Sequence, residues 1–382
     1  LKEQEDHGFL LDQKAGTILL AELQEEMDKV TSEVKKRFKP KIEKLEIFRR
    51  RTKTGAISRM GETLEGKGVR LTGDDFQELK KKGSIIREKR IEFNLGSRKQ
   101  IGEYLQEFGW KPKKFTPTGQ PMVDEKILSN VKNIPEASLI AKYLMLQKRI
   151  AQVNAWFKEL GKDGRVHGFV NHNGTVTGRM THRNPNMAQV PNCSAPYGKE
   201  CRACWVVPPN YKLVGIDASG LELRMLAHYM NDEGFIDEIL NGDIHTANQR
   251  LAGLESRNQA KTFIYALIYG AGDEKIGTVV GGNKADGRRL RESFLNNLPS
   301  FRTLIYKVSR AATKGFLKGL DGRKIKVRSQ HSALNALLQG GGAIVMKKAL
   351  MIFHKEIQQY GAVVVGNIHD EIQAEVPAAQ AE

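Results

Sequence analysis

Cysteine is scarce in this sequence, with three residues among 382. That number is too small for a disulfide framework and is typical of a protein from a reducing compartment. Cys201 and Cys204 form a single C-x-x-C pair with Cys193 nearby, and His182 is the only weak candidate for a fourth zinc ligand. We therefore expect ordinary loop or core thiols here rather than a metal or redox site.

The sequence also lacks any run of about 18 apolar residues, which argues against a membrane-spanning helix. Its N-terminus opens with Lys2, Glu3 and Glu5 and does not have the apolar core of a signal peptide. We expect a cytoplasmic protein with no membrane partner.

Negative charge is in short supply: 44 Asp and Glu stand against 61 Lys and Arg, so the formal net charge is +17. This excess predicts a polyanionic partner, with nucleic acid ahead of an acidic membrane surface, although simple solubility is an alternative. Between residues 35 and 59, eleven basic residues stand against two Glu, and a glycine-rich stretch follows. We interpret residues 46–92 as a mobile basic loop or small insert whose charged face is either solvated or grips phosphates.

Periodicity predicts a mixture of helices and short strands. Residues 10–50 read as one long helix or two shorter ones, and Ser97 with Gln100 has the spacing of a capping box that starts a helix to about residue 108. The other predicted elements are helices at 137–160, 232–252, 259–269, 284–318 and 333–360, and strands at 166–170, 212–217, 363–368 and 372–376. The pattern indicates an α+β fold, in which a small antiparallel sheet carries acids at its turns and helical lobes frame it.

Two acids end apolar strands, Asp217 after 214–216 and Asp370 after 363–368. Two carboxylates brought together at strand ends would bind a pair of hard divalent cations. Acids also end strands simply because they favour turns, and for either segment alone that is the better interpretation.

A third segment changes this balance. Arg257, Lys261, Tyr265 and Tyr269 recur every four residues, so they share one stripe of a helix. Arg as a fork and Lys as a point charge can hold different phosphates of one triphosphate, and an aromatic face one turn on can meet a sugar or base. Plain amphipathic packing is the alternative.

With these motifs the sequence resembles the polymerase module of the Pol I group (family A) DNA polymerases, above all the replicative enzymes of short-tailed bacteriophages. Residues 217–224 (DASGLELR) resemble the first family motif, 257–270 (RNQAKTFIYALIYG) the second and 369–371 (HDE) the third. Supporting matches are Phe93-Asn94-Leu95 with Gln100, Thr177-Gly178-Arg179 with Pro185-Asn186, and Asn335 with Gln339.

The resemblance implies a right-hand polymerase with a palm, helical fingers and a helical thumb. It places the thumb at 1–165 with the basic insert at 46–92, the palm at 166–230 and 319–382, and the fingers at 231–318. The second palm segment is expected to be truncated, and no 3′–5′ exonuclease site is expected within this sequence.

Catalytic roles follow from the same resemblance. Asp217 and Asp370 would ligate two Mg²⁺ ions together with the backbone carbonyl of Ala218, and Lys261 would act in catalysis. The reaction would be template-directed addition of deoxynucleoside triphosphates to a primer 3′ end, in phage DNA replication within the host cytoplasm.

Substrate roles are implied residue by residue. Arg257, Lys261 and His245 would hold the incoming triphosphate, Tyr265 would stack near its sugar, and Glu222 would close the pocket where a 2′-hydroxyl would lie. An aromatic hydroxyl at the Tyr265 position goes with tolerance of dideoxynucleotides in this family. From the residues alone, His245 could equally start a helix.

Primer–template DNA is the implied macromolecular partner. The residues implied to contact it at the minor groove, primer end or template base are Arg179, Asn335, Gln339, His369, Glu371 and Tyr269. On the residues alone, Arg179 could instead pair with an acid and Gln339 could be a buried amide. A thioredoxin-like processivity factor at 46–92 is a further possibility, behind direct contact with duplex phosphates.

Two other functions stay open. A single-subunit RNA polymerase would share the two acids and the Arg/Lys helix, although Glu222 and Glu371 favour DNA. A non-catalytic nucleic-acid-binding protein on a polymerase-like scaffold is the second alternative, which intact Asp217, Lys261 and Asp370 argue against.

Overall fold

A computed structural model describes residues 1–381 of the chain. They form two compact units, one of residues 1–19 with 152–381 and the other of Leu20–Ala151. The domain boundaries predicted from the sequence remain predictions.

Helices and strands are numbered here in chain order. The helices are α1 Lys2–His7, α2 Gln13–Arg37, α3 Gly73–Lys82, α4 Arg98–Glu107, α5 Glu125–Leu128, α6 Pro135–Lys158, α7 Gly198–Ala203, α8 Leu221–Met230, α9 Glu233–Leu240, α10 Ile244–Ala252, α11 Arg257–Ile268, α12 Asp273–Gly277, α13 Lys284–Asn297, α14 Pro299–Ala312 and α15 Ala333–Ile357. The strands are β1 Phe9–Leu11, β2 Lys41–Phe48, β3 Met60–Thr63, β4 Gly68–Arg70, β5 Ser84–Ile91, β6 Arg165–Val166, β7 Phe169–Asn171, β8 Thr181–Arg183, β9 Trp205–Val206, β10 Tyr211–Asp217, β11 Phe316–Lys318, β12 Lys324–Lys326, β13 Val363–Ile368 and β14 Glu371–Pro377.

The sheet that carries the predicted acids has the antiparallel order β10-β14-β13. Its central strand, β14, pairs with β10 along its whole length, from Tyr211 opposite Pro377 to Asp217 opposite Glu371. Apolar residues of β13 and β14 form one core with Leu350 and Ile357 of α15. The predicted antiparallel sheet with acids at its turns is therefore confirmed.

A buried ion pair holds β14 in place near its C-terminal end. Glu375 is buried and accepts two hydrogen bonds from the Arg165 guanidinium, Nη1 to Oε1 at 2.8 Å and Nη2 to Oε2 at 2.9 Å. The His7 ring lies 2.9 Å from the same Oε2. Because a buried carboxylate is costly without partners, this contact holds β14 in one register.

Helices α8 to α15 share a second core, centred on Phe263, Phe294 and Phe301. The stretch Gln330–Tyr360, which contains α15, is long and apolar enough by length and composition alone to cross a membrane. A methyl group added to its Gly341 would come within 2.8 Å of Met225 Sδ, and one on Gly342 within 3.0 Å of Leu221. This close packing against α8 makes α15 a core helix.

In the second unit, the prediction of a helix through residue 50 is wrong, and of the two alternatives for the basic segment, a mobile loop or a small insert, the structure contains the insert. Helix α2 ends at Arg37, and β2 to β5 form a four-stranded antiparallel sheet in the order β4-β3-β2-β5. Helix α3 packs on this sheet, and Ile47, Leu79 and Ile85 form a small buried core. The segment is an ordered insert, which the β2–β5 strand ladder and the burial of these three apolar side chains stabilise.

Smaller predictions also needed correction. Leu10 and Leu11, where the sequence predicts the start of a helix, belong to the strand Phe9–Leu11. The predicted strand at 166–170 is split into β6 and β7. Ser97 caps α4 as predicted by accepting the Gln100 N–H, but the Gln100 side chain accepts from Asn94 instead of closing the box.

The three cysteines and His182 do not form a metal site. Cys201 and Cys204 are buried, burial raises the pKa of the Cys204 thiol to about 11, and Cys193 is exposed. The His182 ring lies 2.9 Å from the carbonyl oxygen of Asn367. Cys201 and Cys204 are core thiols, and Cys193 is an exposed loop thiol.

Candidate active site

The two acids lie at one end of the β10-β14-β13 sheet. β10 ends at Asp217, and the β13–β14 turn consists of His369 and Asp370, with His369 in the left-handed region at φ 60°. The backbone N–H of Ala218 donates to the carbonyl oxygen of Asp370 at 2.9 Å. The β13–β14 turn carries Asp370, and the end of the neighbouring strand β10 carries Asp217, so the two carboxylates lie at the same end of the sheet.

Electrostatic crowding is strong at this end of the sheet. Burial, followed by the carboxylates of Asp370, Glu371 and Glu222, raises the pKa of Asp217. Among residues 1–381 no cationic side chain forms an ion pair with Asp217 or Asp370. Such an arrangement favours a bound cation, which would relieve the repulsion.

The donor set fits a hard divalent cation. Within the described part of the chain no three His, Cys, Asp or Glu side chains are arranged so that they alone could hold a metal ion. The donors are two carboxylates and the Ala218 carbonyl, which accepts one hydrogen bond from Leu221 N–H at 3.2 Å and keeps a second lone pair. Mg²⁺ characteristically binds one or two carboxylates and completes its shell with water and substrate phosphates.

Helix α11 presents the predicted stripe towards the same cleft. Ser256 and Gln259 form a complete capping box that fixes where the helix starts. Arg257, Lys261 and Tyr265 line an open cleft, whose lining also includes Asp217, Asp370 and His245. The structure thus brings the acids, the cations and an aromatic ring to one cleft.

Arg257 is engaged by an acid that the sequence analysis did not single out. Its Nε donates to Asp243 Oδ2 at 2.6 Å and its Nη2 to Oδ1 at 3.1 Å. The same carboxylate caps α10 through the backbone N–H of His245 at 3.0 Å. Arg257, Thr246 and this N–H together hold the pKa of Asp243 far below its usual range, so Asp243 is ionised at neutral pH. The helix-start pattern around residue 243 signalled a cap, but nothing local signalled the ion pair.

His245 and Tyr265 line the cleft together with Arg257 and Lys261. Burial and the charges of Arg257 and Lys261 lower the pKa of His245, so the ring is neutral at pH 7. Its Nδ1 is buried without a hydrogen-bond partner. The centroids of the His245 and Tyr265 rings lie 6.3 Å apart. Burial together with the charge of Glu222 raises the pKa of the Tyr265 phenol, which keeps its proton.

Glu222 organises a second group of predicted residues beside the cleft. Arg179 donates to Glu222 Oε1 at 2.6 Å, and the Tyr269 hydroxyl lies 3.4 Å from the same oxygen. Gln339 contributes a hydrogen bond to the Tyr269 hydroxyl. The pairing of Arg179 with an acid, an alternative left open by the sequence, is therefore what this structure contains.

The remaining predicted residues lie apart from the cleft lining. Asn335 is one turn before Gln339 on α15, and its Oδ1 is buried without a hydrogen-bond partner. His369 lines a separate cavity together with Arg179, Glu371 and Lys347. The roles implied for all these residues remain predictions.

Comparison with solved structures defines the class of fold. The chain superimposes on the POL domain of Pol1 from M. smegmatis, solved in complex with DNA primer-template and dNTP, with a TM-score of 0.76 and 20% identity. The match covers 98% of this chain and 62% of that chain. The predicted α+β right-hand polymerase fold is therefore confirmed.

The sequence then identifies the family. The profile of DNA polymerase family A matches residues 69–382, and this chain belongs to that family. It is 43% identical over 326 residues to the DNA-directed DNA polymerases of Enterobacteria phage T3 and Escherichia phage T7, which confirms the resemblance to the phage branch. DNA polymerase I of Pseudomonas aeruginosa is 27% identical over 317 residues.

These alignments cover most of this chain but only part of its relatives. The two phage matches span 74% of this chain and 46% of each relative, and the Pseudomonas match spans 75% and 34%.

Proposed function

We propose that this chain carries the active site of a template-directed DNA polymerase, which adds deoxynucleoside triphosphates to a primer 3′ end. The observation that carries this proposal is the cleft itself, where Asp217 and Asp370 face Arg257, Lys261 and Tyr265. Family membership and the names of the phage relatives support it.

In this proposal each wall of the cleft has one task. Asp217, Asp370 and the Ala218 carbonyl would hold two Mg²⁺ ions. The ions, when bound, lower the pKa of an attacking hydroxyl and neutralise charge on a leaving pyrophosphate. Lys261 and Arg257 bind the triphosphate and position it for in-line attack.

Arg257 binds the triphosphate by exchanging the carboxylate of Asp243 for a phosphate of the substrate. Its guanidinium is held in a bidentate pair by Asp243 on the exposed rim of the cleft. A phosphate offers the same planar fork a more highly charged acceptor. Neutral His245 also lines the cleft, and its ring can form a hydrogen bond with the nucleotide.

Glu222 supports DNA over RNA as the product. Its carboxylate is held by Arg179 and Tyr269 against the cleft residue Tyr265, whose phenol pKa it raises. A carboxylate fixed there narrows the space beside the sugar and would disfavour a 2′-hydroxyl. We retain Arg179, Asn335, Gln339, His369 and Tyr269 as proposed contacts to primer–template DNA.

Several wider assignments belong to the same proposal. The thumb, palm and fingers would follow the boundaries given above, and the setting would be phage DNA replication in the host cytoplasm. A thioredoxin-like processivity factor is the alternative partner of residues 46–92, supported by the exposed side chain of Ile86 on the sheet of this insert.

Magnesium-dependent primer extension tests the proposal. We expect the Asp217→Asn variant to lose about a thousandfold in extension rate, because a ligand of the metal pair is lost. Asp237→Asn is the matched control, since Asp237 is exposed on α9 and only bonds Asn241. Offering ribonucleotides and deoxynucleotides on one primed template separates the RNA polymerase alternative. Full extension by Asp217→Asn would refute the assignment.

A further inference from the structure

Helix α14 carries exposed cations around one exposed aromatic ring. Arg302, Tyr306 and Arg310 follow one another at four-residue intervals, and Lys307 stands next to Tyr306. Because an α-helix turns by about 100° per residue, the first three side chains share one face of α14. All four side chains are exposed, and none of them lines the catalytic cleft. We call these four residues the α14 stripe.

The α14 stripe has no carboxylate of its own to offset its charge. No Asp or Glu occurs between residues 292 and 321. Within residues 1–381 none of its three cations forms an ion pair, and Arg302 donates to the neutral amide oxygen of Asn296 at 2.6 Å. Adjacent like charges repel each other, so the stripe favours a polyanion from outside the chain.

The preceding helix, α13, shows that this lack of counter-charge is local. All three of its Arg side chains pair with carboxylates; these pairs are Arg288–Glu292 at 3.1 Å, Arg291–Asp273 at 3.0 Å and Arg289–Asp286. The basic composition of the chain therefore does not by itself leave exposed cations unpaired. A solvated charged face would account for the cations of α14, but it gives no reason for an aromatic ring among them.

That ring belongs to Tyr306, whose side chain is 65% exposed. No Phe, Tyr or Trp side chain among residues 1–381 is more exposed, and within this part of the chain Tyr306 has neither a ring contact nor a hydrogen-bond partner. An aromatic ring flanked by cations suits single-stranded nucleic acid, because unpaired bases stack on the ring while the cations contact phosphates. A duplex hides the faces of its bases and could not use this ring.

An open groove connects the α14 stripe with the proposed position of the template base. Its lining includes Gly270, directly after Tyr269, on one side, and Ile305 with Ser309 of α14 on the other. The residue that follows each of these two α14 positions belongs to the stripe. Since one residue turns the helix by about 100°, the stripe lies beside the groove on the outer face of α14.

We propose that the α14 stripe binds the unpaired template strand ahead of the templating base. In this arrangement a base stacks on Tyr306, and Arg302, Lys307 and Arg310 bind the backbone phosphates on either side of it. A strand that leaves Tyr269 along the groove meets the stripe at the rim of the groove. The inference rests on the proposed function for the identity of the strand as template.

The test is equilibrium binding of the full chain to fluorescent DNA without Mg²⁺ or dNTP. Two DNAs share one duplex, and one of them adds a 5′ template overhang of about 10 nucleotides, a length within the usual site size. The measured quantity is the overhang gain, the Kd for the blunt DNA divided by the Kd for the overhang DNA. Tyr306→Ala should lower this gain by about fivefold or more, whereas Tyr306→Phe, which keeps the stacking face, should preserve it.

The phosphate contacts are tested by a double variant, Arg302→Gln with Arg310→Gln, in a salt series. Each phosphate contact to a single strand contributes about 0.7 to the slope of log K against log salt, so the slope for the overhang DNA should fall by about 1.4. The matched control, Arg288→Gln with Arg289→Gln, removes two cations that are already paired and should change the slope by less than about half as much. Thermal melting verifies that each variant is folded.

An overhang gain in Tyr306→Ala equal to that of the parent would overturn the proposal. An equal loss of affinity for the blunt DNA would also overturn it, in favour of a duplex contact, and so would the same Tyr306-dependent gain with a 3′ overhang, which no template provides. If the double variant instead lost binding to a poly-glutamate peptide and kept the overhang gain, the stripe would be a docking surface for an acidic protein. A failure of the proposed function would appear separately, as absent primer extension by the parent with the Tyr306-dependent gain intact.

Discussion

The cleft has an acidic wall, formed by Asp217 and Asp370, and a basic wall, formed by Arg257 and Lys261. On the acidic wall, neighbouring carboxylates raise the pKa of Asp217 and no described cation offsets them. On the basic wall, Arg257 is already paired with Asp243, whereas Lys261 has no carboxylate partner among residues 1–381. The two acids must therefore take their counter-charge from solution, whereas Arg257 on the basic wall is already paired with a carboxylate that a phosphate could replace.

The largest effect on the basic wall is expected from Lys261, because its charge is not offset in the folded chain. Lys261→Gln should lower kcat/KM for the incoming nucleotide by about a hundredfold, since a point charge on the triphosphate is lost. Steady-state primer extension measures it. Lys275→Gln, an exposed cation on α12, is the control. A drop below threefold would mean that Lys261 does not contact the triphosphate.

The next effect tests the aromatic end of the stripe. Tyr265 keeps its proton because burial and Glu222 raise the pKa of its phenol, so it can supply a hydroxyl beside the sugar. We expect efficient dideoxynucleotide incorporation by the parent and at least about tenfold stronger discrimination by Tyr265→Phe, because one polar partner is lost. Competing dNTP and ddNTP incorporation gives the ratio. Equal termination by both enzymes would contradict this placement.

A smaller effect tests whether Asp243 competes with the substrate. Asp243→Asn keeps an oxygen that can cap α10 but removes the charge that holds Arg257. Because exposed ion pairs are weak, we expect KM for the nucleotide to fall by about two- to threefold with little change in kcat.

The control for Asp243→Asn is Glu238→Gln. It neutralises the acid of another exposed pair, Arg250–Glu238 at 3.0 Å, whose two residues are not among those that line the cleft. An unchanged or raised KM in Asp243→Asn would show that the pair positions Arg257 rather than occupies it.

The smallest effect concerns pH on the acidic wall. Asp217 must be ionised to ligate a cation, so its raised pKa places the acid limb of kcat/KM at higher pH than for an ordinary Asp. Glu371→Gln removes one of the charges that raise this pKa, so the acid limb should move to lower pH. The readout is the position of the limb, and Glu274→Gln, an exposed acid on α12, should leave it in place. A shift to higher pH would contradict the cause given.

The sequence predicted those parts of the site that depend on local pattern. Asp217 and Asp370 follow apolar strands, and the four-residue spacing from Arg257 to Tyr269 is a property of one helix, so both were readable from the chain alone. The pairs Arg257–Asp243 and Arg179–Glu222 join different segments, and their existence depends on how helices and loops pack. A residue's type could not identify which acid each Arg meets.

The insert was misread for a different reason. In β2, KIEKLEIF, only Ile47 is buried, and charged residues alternate with apolar ones on a sheet that is largely exposed. With so few core positions, neither a period of two nor one of 3.6 residues dominates the pattern. The strand is fixed by its ladder with β5, which is distant in sequence and invisible to local reasoning.

The buried Glu375 has a consequence for how accurately the two acids are spaced. It lies four residues along β14 from Glu371, about 13 Å at strand rise. A one-residue slip of β14 would turn the Glu375 side chain to the opposite face of the sheet, away from Arg165 and His7. The loss of both partners would leave this charge unpaired, at a cost of about 3–5 kcal/mol. The ion pair of Glu375 near one end of β14 therefore sets the position of Glu371 at the other end, next to Asp370. Loss of this ion pair would shift Asp370 relative to Asp217.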